Sequence, residues 1–133
     1  MSGPVDDATI GVMGRSLSRL SIRASVVASN LANVDTPAYR ALKAEFAGSM
    51  EDAHRLRLQR TDGEHLGADG DAAPVNAELV DAPITRMRQD GNTVDVDREM
   101  TEFAAVQGRF GAVSEMIRKR FALLRYAVTD GKG

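Results

Sequence analysis

Apolar residues recur at alternating gaps of three and four along both ends of this 133-residue chain, and nothing else in it limits the fold so strongly. The first series runs Ile10, Met13, Leu17, Leu20, Ala24, Val27, Leu31 and Val34. The second runs Met100, Phe103, Gln107, Phe110, Ser114, Ile117, Phe121, Leu124 and Val128, with Gln107 and Ser114 its polar members. A heptad period keeps a helical stripe turned toward a partner helix, so the pattern predicts long helices over 8–34 and 98–129 that pair as an antiparallel coiled coil. At ~1.5 Å per residue each helix spans roughly 35 to 45 Å. Asp95 or Asp97 can cap the second helix, Glu99 puts negative charge in its first turn, and Asp130-Gly131 supplies a stop.

The stretch over 35–97 differs in kind. Asp62-Gly63, Gly67, Gly70, Pro74, Pro83 and Asp90-Gly91-Asn92 are turn formers that leave no room for long helices. Phe46, Met50 and Ala53 allow one short helix over about 43–57. Ile84 through Val96, with Asp90-Gly91 near its centre, reads as a small β-hairpin. The expected fold is therefore mainly α, one unit over 1–133, with a loop-rich middle.

A two-helix seam leaves apolar side chains over. Val12, Ile22 and Val26 lie on the far side of the first helix; Val106, Val113, Met116, Leu123 and Tyr126 lie off the seam of the second. Leaving these eight residues in water sacrifices on the order of 10 kcal/mol, as much as the stability of a whole domain. Either the middle segment covers them or other subunits do, and the polarity of the middle favours other subunits. Gly108 and Gly111 inside the second helix permit close approach of another backbone, or are simply tolerated there. Gln107 and Ser114 either fix register and pairing choice or sit where the seam is wet.

Composition excludes several classes of function. With 17 basic and 19 acidic residues the chain lacks the cationic footprint of a nucleic-acid binder. No cysteine is present, so disulfides, thiolate metal sites and a Cys nucleophile are absent. No apolar run approaches the ~20 residues of a membrane span, and the N-terminal stretch does not read as a cleaved leader. His54 and His65, with Glu51 and Glu64, lack tight ligand spacing, and a calcium loop begun at Asp90 fails at Val94 and Asp95. Ser16, Ser18 and Ser21 have no His near them in sequence, and no nucleophile elbow or phosphate loop occurs, so neither enzyme nor cofactor is expected. Arg118-Lys119-Arg120 reads as a solvated helix face.

The first heptad runs out in SNLANVDTPAYRA, where Asn30 and Asn33 tolerate the left-handed conformation that ends helices, Pro37 blocks continuation, and Asp35 and Thr36 can bond the backbone of a turn. Tyr39 is free to anchor the outgoing chain. This stretch resembles the A-[NS]-N-[IL]-A-N-x-x-T-P-G-Y-[KR]-A signature of bacterial flagellar rod, hook and hook-filament junction proteins, carried here by Asn30, Asn33, Thr36, Pro37 and Tyr39. A second stretch, DGNTVDVDREMTEF from Asp90 to Phe103 followed by QGRFGAVSEMIRKRFALLR, looks like the C-terminal half of the proximal rod protein B branch of that family. The likeness covers roughly 10–46 and 84–128. Where the family has Pro-Gly-Tyr this chain has Pro37-Ala38-Tyr39, and since Ala resists positive φ the turn is expected to be type I or extended.

The resemblance implies a structural subunit of the flagellar basal body, exported without a cleaved signal through the flagellar type III apparatus and packed helically into the periplasmic rod that transmits torque. Its implied partners are copies of itself, other rod proteins, the adaptor protein at the membrane-ring junction and the export apparatus. A soluble coiled-coil adaptor or export chaperone is the competing expectation.

Overall fold

The computed structural model describes residues 4–46 and 75–129. Pro4–Ala32 forms α1, Leu42–Phe46 forms β1, Ala77–Asp81 forms β2 and Val96–Val128 forms α2. The described chain is mainly helical, with a small two-stranded antiparallel sheet that sets Leu42 opposite Asp81 and Phe46 opposite Ala77.

Both expectations for the middle need correction. Lys43 to Phe46, the start of the expected short helix, belong to strand β1; the rest of that expected helix lies outside the described residues. Leu, Lys, Ala and Glu favour helix, but here tertiary bonds override propensity. The Leu42 N–H donates to Asn30 Oδ1 at 3.0 Å and its carbonyl accepts from Asn30 Nδ2 at 2.8 Å, which holds the chain extended. The expected hairpin over Ile84–Val96 does not form; the sheet pairs β1 with β2 instead. A tight turn does occur there, closed by Gly91 N to Arg88 O and Arg88 N to Asn92 O, but its outgoing arm bonds elsewhere. Thr93 N donates to Tyr39 O, and Thr93 Oγ1 accepts from Ala41 N.

The apolar core of the described residues is small: Leu20, Val27, Ala41, Val94 and Val106. Asn30, Asn92, Thr93 and Glu99 are buried with them. Helix α1 packs on α2, with Asn30 meeting Glu99, and with Ser21 and Ala24 sharing a crevice of about 220 Å³ with Val106, Gln107 and Phe110. Val106, off the seam in the heptad reading, is the most buried side chain of α2, while Met100 and Phe121 are more than half exposed. The two possible stripes share Phe103, Phe110, Ile117 and Leu124; they differ in whether the alternate positions are 100, 107, 114 and 121 or the residue before each. The second choice puts Glu99 on the buried line, and its carboxylate is received there by Asn30. No apolar count along one helix reveals such a partner.

Asp95 is the N-cap of α2, with extended backbone (φ −101°, ψ 105°) and a side chain that accepts from Arg98 N. Thr129 closes the other end, its N–H donating to Arg125 O. Asp130-Gly131, the expected stop, lies outside the described residues.

The turn after α1 also departs from expectation. Ala38 sits at φ 57°, in the left-handed region, and Tyr39 N donates to Thr36 O to close the turn. The conformation is imposed from outside, because Ala38 N donates to Asp90 O and Gly91, itself at φ 79°, lies beside Ala38. An L-residue with a Cβ costs ~1 kcal/mol or more there, whereas Gly does not. Ala38→Gly is therefore expected to stabilise the chain by about 0.5 to 1 kcal/mol after the larger unfolded-state entropy of Gly is subtracted. A urea midpoint that falls instead would show that the Ala38 Cβ contact matters more than its φ.

Candidate assembly interface

Two sequence-distant motifs meet at the end of α1. Asn30, 1% exposed, uses its whole amide: Nδ2 donates to Leu42 O and to Glu99 Oε2 (3.1 Å), while Oδ1 accepts from Leu42 N and from the Tyr39 hydroxyl (3.2 Å). Far from ending the helix in a left-handed conformation, it ties α1, β1 and α2 together. Asn33 keeps local company, donating to Ser29 O and accepting from the Thr36 hydroxyl.

Asn92 does the complementary work. Its Nδ2 faces the carbonyls of Asn33, Val34 and Thr36 at 2.8 to 3.0 Å, and its Oδ1 accepts from Val94 N. Three carbonyls of the turn that follows α1, two of which also accept backbone N–H bonds from Thr36 and Tyr39, are thus gathered by a side chain more than fifty residues away. Arg88 adds a bond to Val34 O and lies 3.6 Å from Asp35. Asn92 and Glu99 were both missed as joint residues by sequence reasoning. The usable signal was Asn in each of two short motifs, one at a helix end and one in a turn before a helix.

Around this polar joint the expected seam residues are unevenly covered. Leu20 and Val27 are buried; Ile10, Met13, Leu17, Leu31, Phe103, Ile117 and Leu124 are half-buried; Phe110 is exposed. Among the expected intersubunit positions, Ile22, Val26 and Val113 are half-buried. Val12, Met116, Leu123 and Tyr126 stand in solvent, with Leu123 and Tyr126 more than 60% exposed. Phe121 and Val128, members of the seam stripe, are also exposed in the last turns of α2. His54, His65, Glu51 and Glu64 lie outside the described residues.

Gly108 and Gly111 add to that surface, since a Cβ built on either meets nothing within 4 Å. Ala at each should therefore stabilise the isolated helix by about 1 kcal/mol. If another backbone approaches them in the assembly, the same substitutions should reduce incorporation while raising the melting temperature of the free chain. A higher melting temperature with unchanged incorporation would mark them as tolerated glycines only.

Long helices joined by a rigid polar knot, with apolar side chains left outward and no catalytic constellation among the described residues, define a building block. Comparison with known proteins gives the family. A family model described as flagella basal body rod protein matches residues 12–40. The chain is 37% identical over 126 residues to the flagellar basal body rod protein FlgB of Bacillus subtilis, covering 93% of this chain and 95% of that one. It is 33% identical to FlgB of Salmonella typhimurium and 34% identical to FlgB of Escherichia coli, each over 106 residues, 74% of this chain and 76% of the relative. The chain belongs to the flagellar basal body rod protein family. It is a structural rod subunit of the basal body and not an enzyme.

Proposed function

We propose that this subunit assembles helically with copies of itself and with other rod proteins into the periplasmic part of the rod, and that its paired terminal helices carry torque along it. The observation that carries this reading is the apolar face of Met116, Leu123 and Tyr126 on α2, with Phe121 exposed on the seam stripe as well, in a chain whose described core holds five apolar side chains. Surface of this kind on a single subunit is what neighbours cover. An antiparallel coiled coil is supported by the order of contacts: Asn30 with Glu99, then Ala24 with Val106, then Leu20 beside Arg109 and Val113. The whole of 1–133 acts as one rod-type domain, with Val12, Ile22, Val26 and Val113 adding to the contact surface and Ile10, Met13, Leu17 and Leu31 to the seam.

The family likeness supports two further partners, the adaptor protein at the membrane-ring junction and the export apparatus through which the chain leaves the cytoplasm. Among the described residues no helix is long and apolar enough to cross a membrane. The direct test is to locate a tagged chain in purified basal bodies. Density in the rod is expected, and truncation of residues 1–34 or 100–133 should remove it. A chain found only in soluble complexes with one export substrate would overturn the proposal.

A further inference from the structure

Between α1, β1 and α2 lies an open groove of about 750 Å³ whose charge is unlike that of the whole chain. Arg19 and Arg23 line it from α1, Lys43 from β1 and Arg109 from α2; Glu45 is the single acidic residue lining it. Lys43 is paired with Glu45. Arg19, Arg23 and Arg109 form no ion pair among the described residues. Among the described residues, three guanidinium groups without counter-charge therefore gather on a protein of net charge −2.

The arrangement is held in place. The Phe46 ring has the guanidinium carbon of Arg19 at 5.7 Å and that of Arg23 at 5.5 Å from its centre, so a cation–π contact sets two like charges side by side. Such a pair repels itself until an anion arrives, and planar guanidinium groups receive carboxylates in a two-pronged fashion. Leu20 and Val113 give the groove an apolar floor, which suits a peptide better than a bare ion.

We infer that this groove receives an acidic peptide segment of a neighbouring rod subunit, carboxylates on Arg19, Arg23 and Arg109 and an apolar side chain on the floor. The assignment rests on the assembly reading above and adds a partner chemistry to it. Nucleic acid fits less well, because the cationic patch is short and the net negative charge of the chain repels a long polyanion.

The test uses the full chain and a fluorescent glutamate-rich peptide with interspersed leucines. Saturable binding is expected, weakened by added salt and by about tenfold or more in Arg19→Glu with Arg23→Glu, and largely kept in Arg19→Lys with Arg23→Lys. Helical circular dichroism of the reversed variant should match the parent. No binding, or equal binding by the reversed variant, overturns the proposal. So does equally tight binding of single-stranded DNA or inorganic phosphate. Binding that appears only after Glu51→Gln and Asp52→Asn would make the following segment of the same chain the occupant, and also overturns it. In cells the reversed variant should enter basal bodies less than the parent. Equal entry of both sinks the groove and leaves the rod assignment standing; absence of the parent from basal bodies sinks the assembly reading instead.

Discussion

Replacing Asn30 by Ala is expected to destabilise the chain by about 3 kcal/mol, more than any other single truncation in the polar joint. Four hydrogen bonds leave with the amide. What costs most is what they leave behind: the buried carboxylate of Glu99 without its donor, and a half-buried strand N–H and C=O at Leu42. Domains are stable by only about 5 to 15 kcal/mol, and the described residues bury five apolar side chains, so helicity as well as the urea midpoint should fall. Tyr39→Phe removes one of the four bonds, a part-buried one, and should cost about 1 kcal/mol or less. Combining Asn30→Ala with Glu99→Leu should recover at least about 1 kcal/mol of the loss, since the unpaired charge is gone. Equal effects of Asn30→Ala and Tyr39→Phe on urea midpoints would show that Asn30 is not the hub of the joint.

The second large effect is on assembly and not on the fold. Met116→Glu together with Leu123→Glu is expected to abolish incorporation into the basal body, while each change moves the stability of the free chain by no more than about 0.5 kcal/mol. Both side chains are exposed in the single chain, at 49% and 63%, so a carboxylate there stays hydrated. In a packed contact the same two carboxylates would be buried without partners, which costs several kcal/mol and exceeds what two apolar contacts contribute. Met116→Leu with Leu123→Met keeps the apolar character and should assemble. Immunoblots of purified basal bodies, with melting curves of the soluble variants, separate the two outcomes. Normal incorporation of the double glutamate variant would mean that this end of α2 faces solvent in the rod.

Long helices at both ends, their approximate limits and the surplus of apolar side chains were legible along the chain, because helical periodicity and caps such as Asp95 are local properties. So was the family, since Asn30 to Tyr39 and Asp90 to Phe103 are short contiguous motifs. The tertiary structure alone decided what those motifs do to one another. Asn30 joins β1 to Glu99, and Asn92 fastens the turn after α1, more than fifty residues away. It also turned helix-prone Leu42–Phe46 into a strand, held Ala38 at positive φ, and put Val106 with Glu99 on the buried line of α2. In each case a local preference on the order of 1 kcal/mol met a hydrogen bond or a burial that only a distant residue could supply, and the distant partner prevailed.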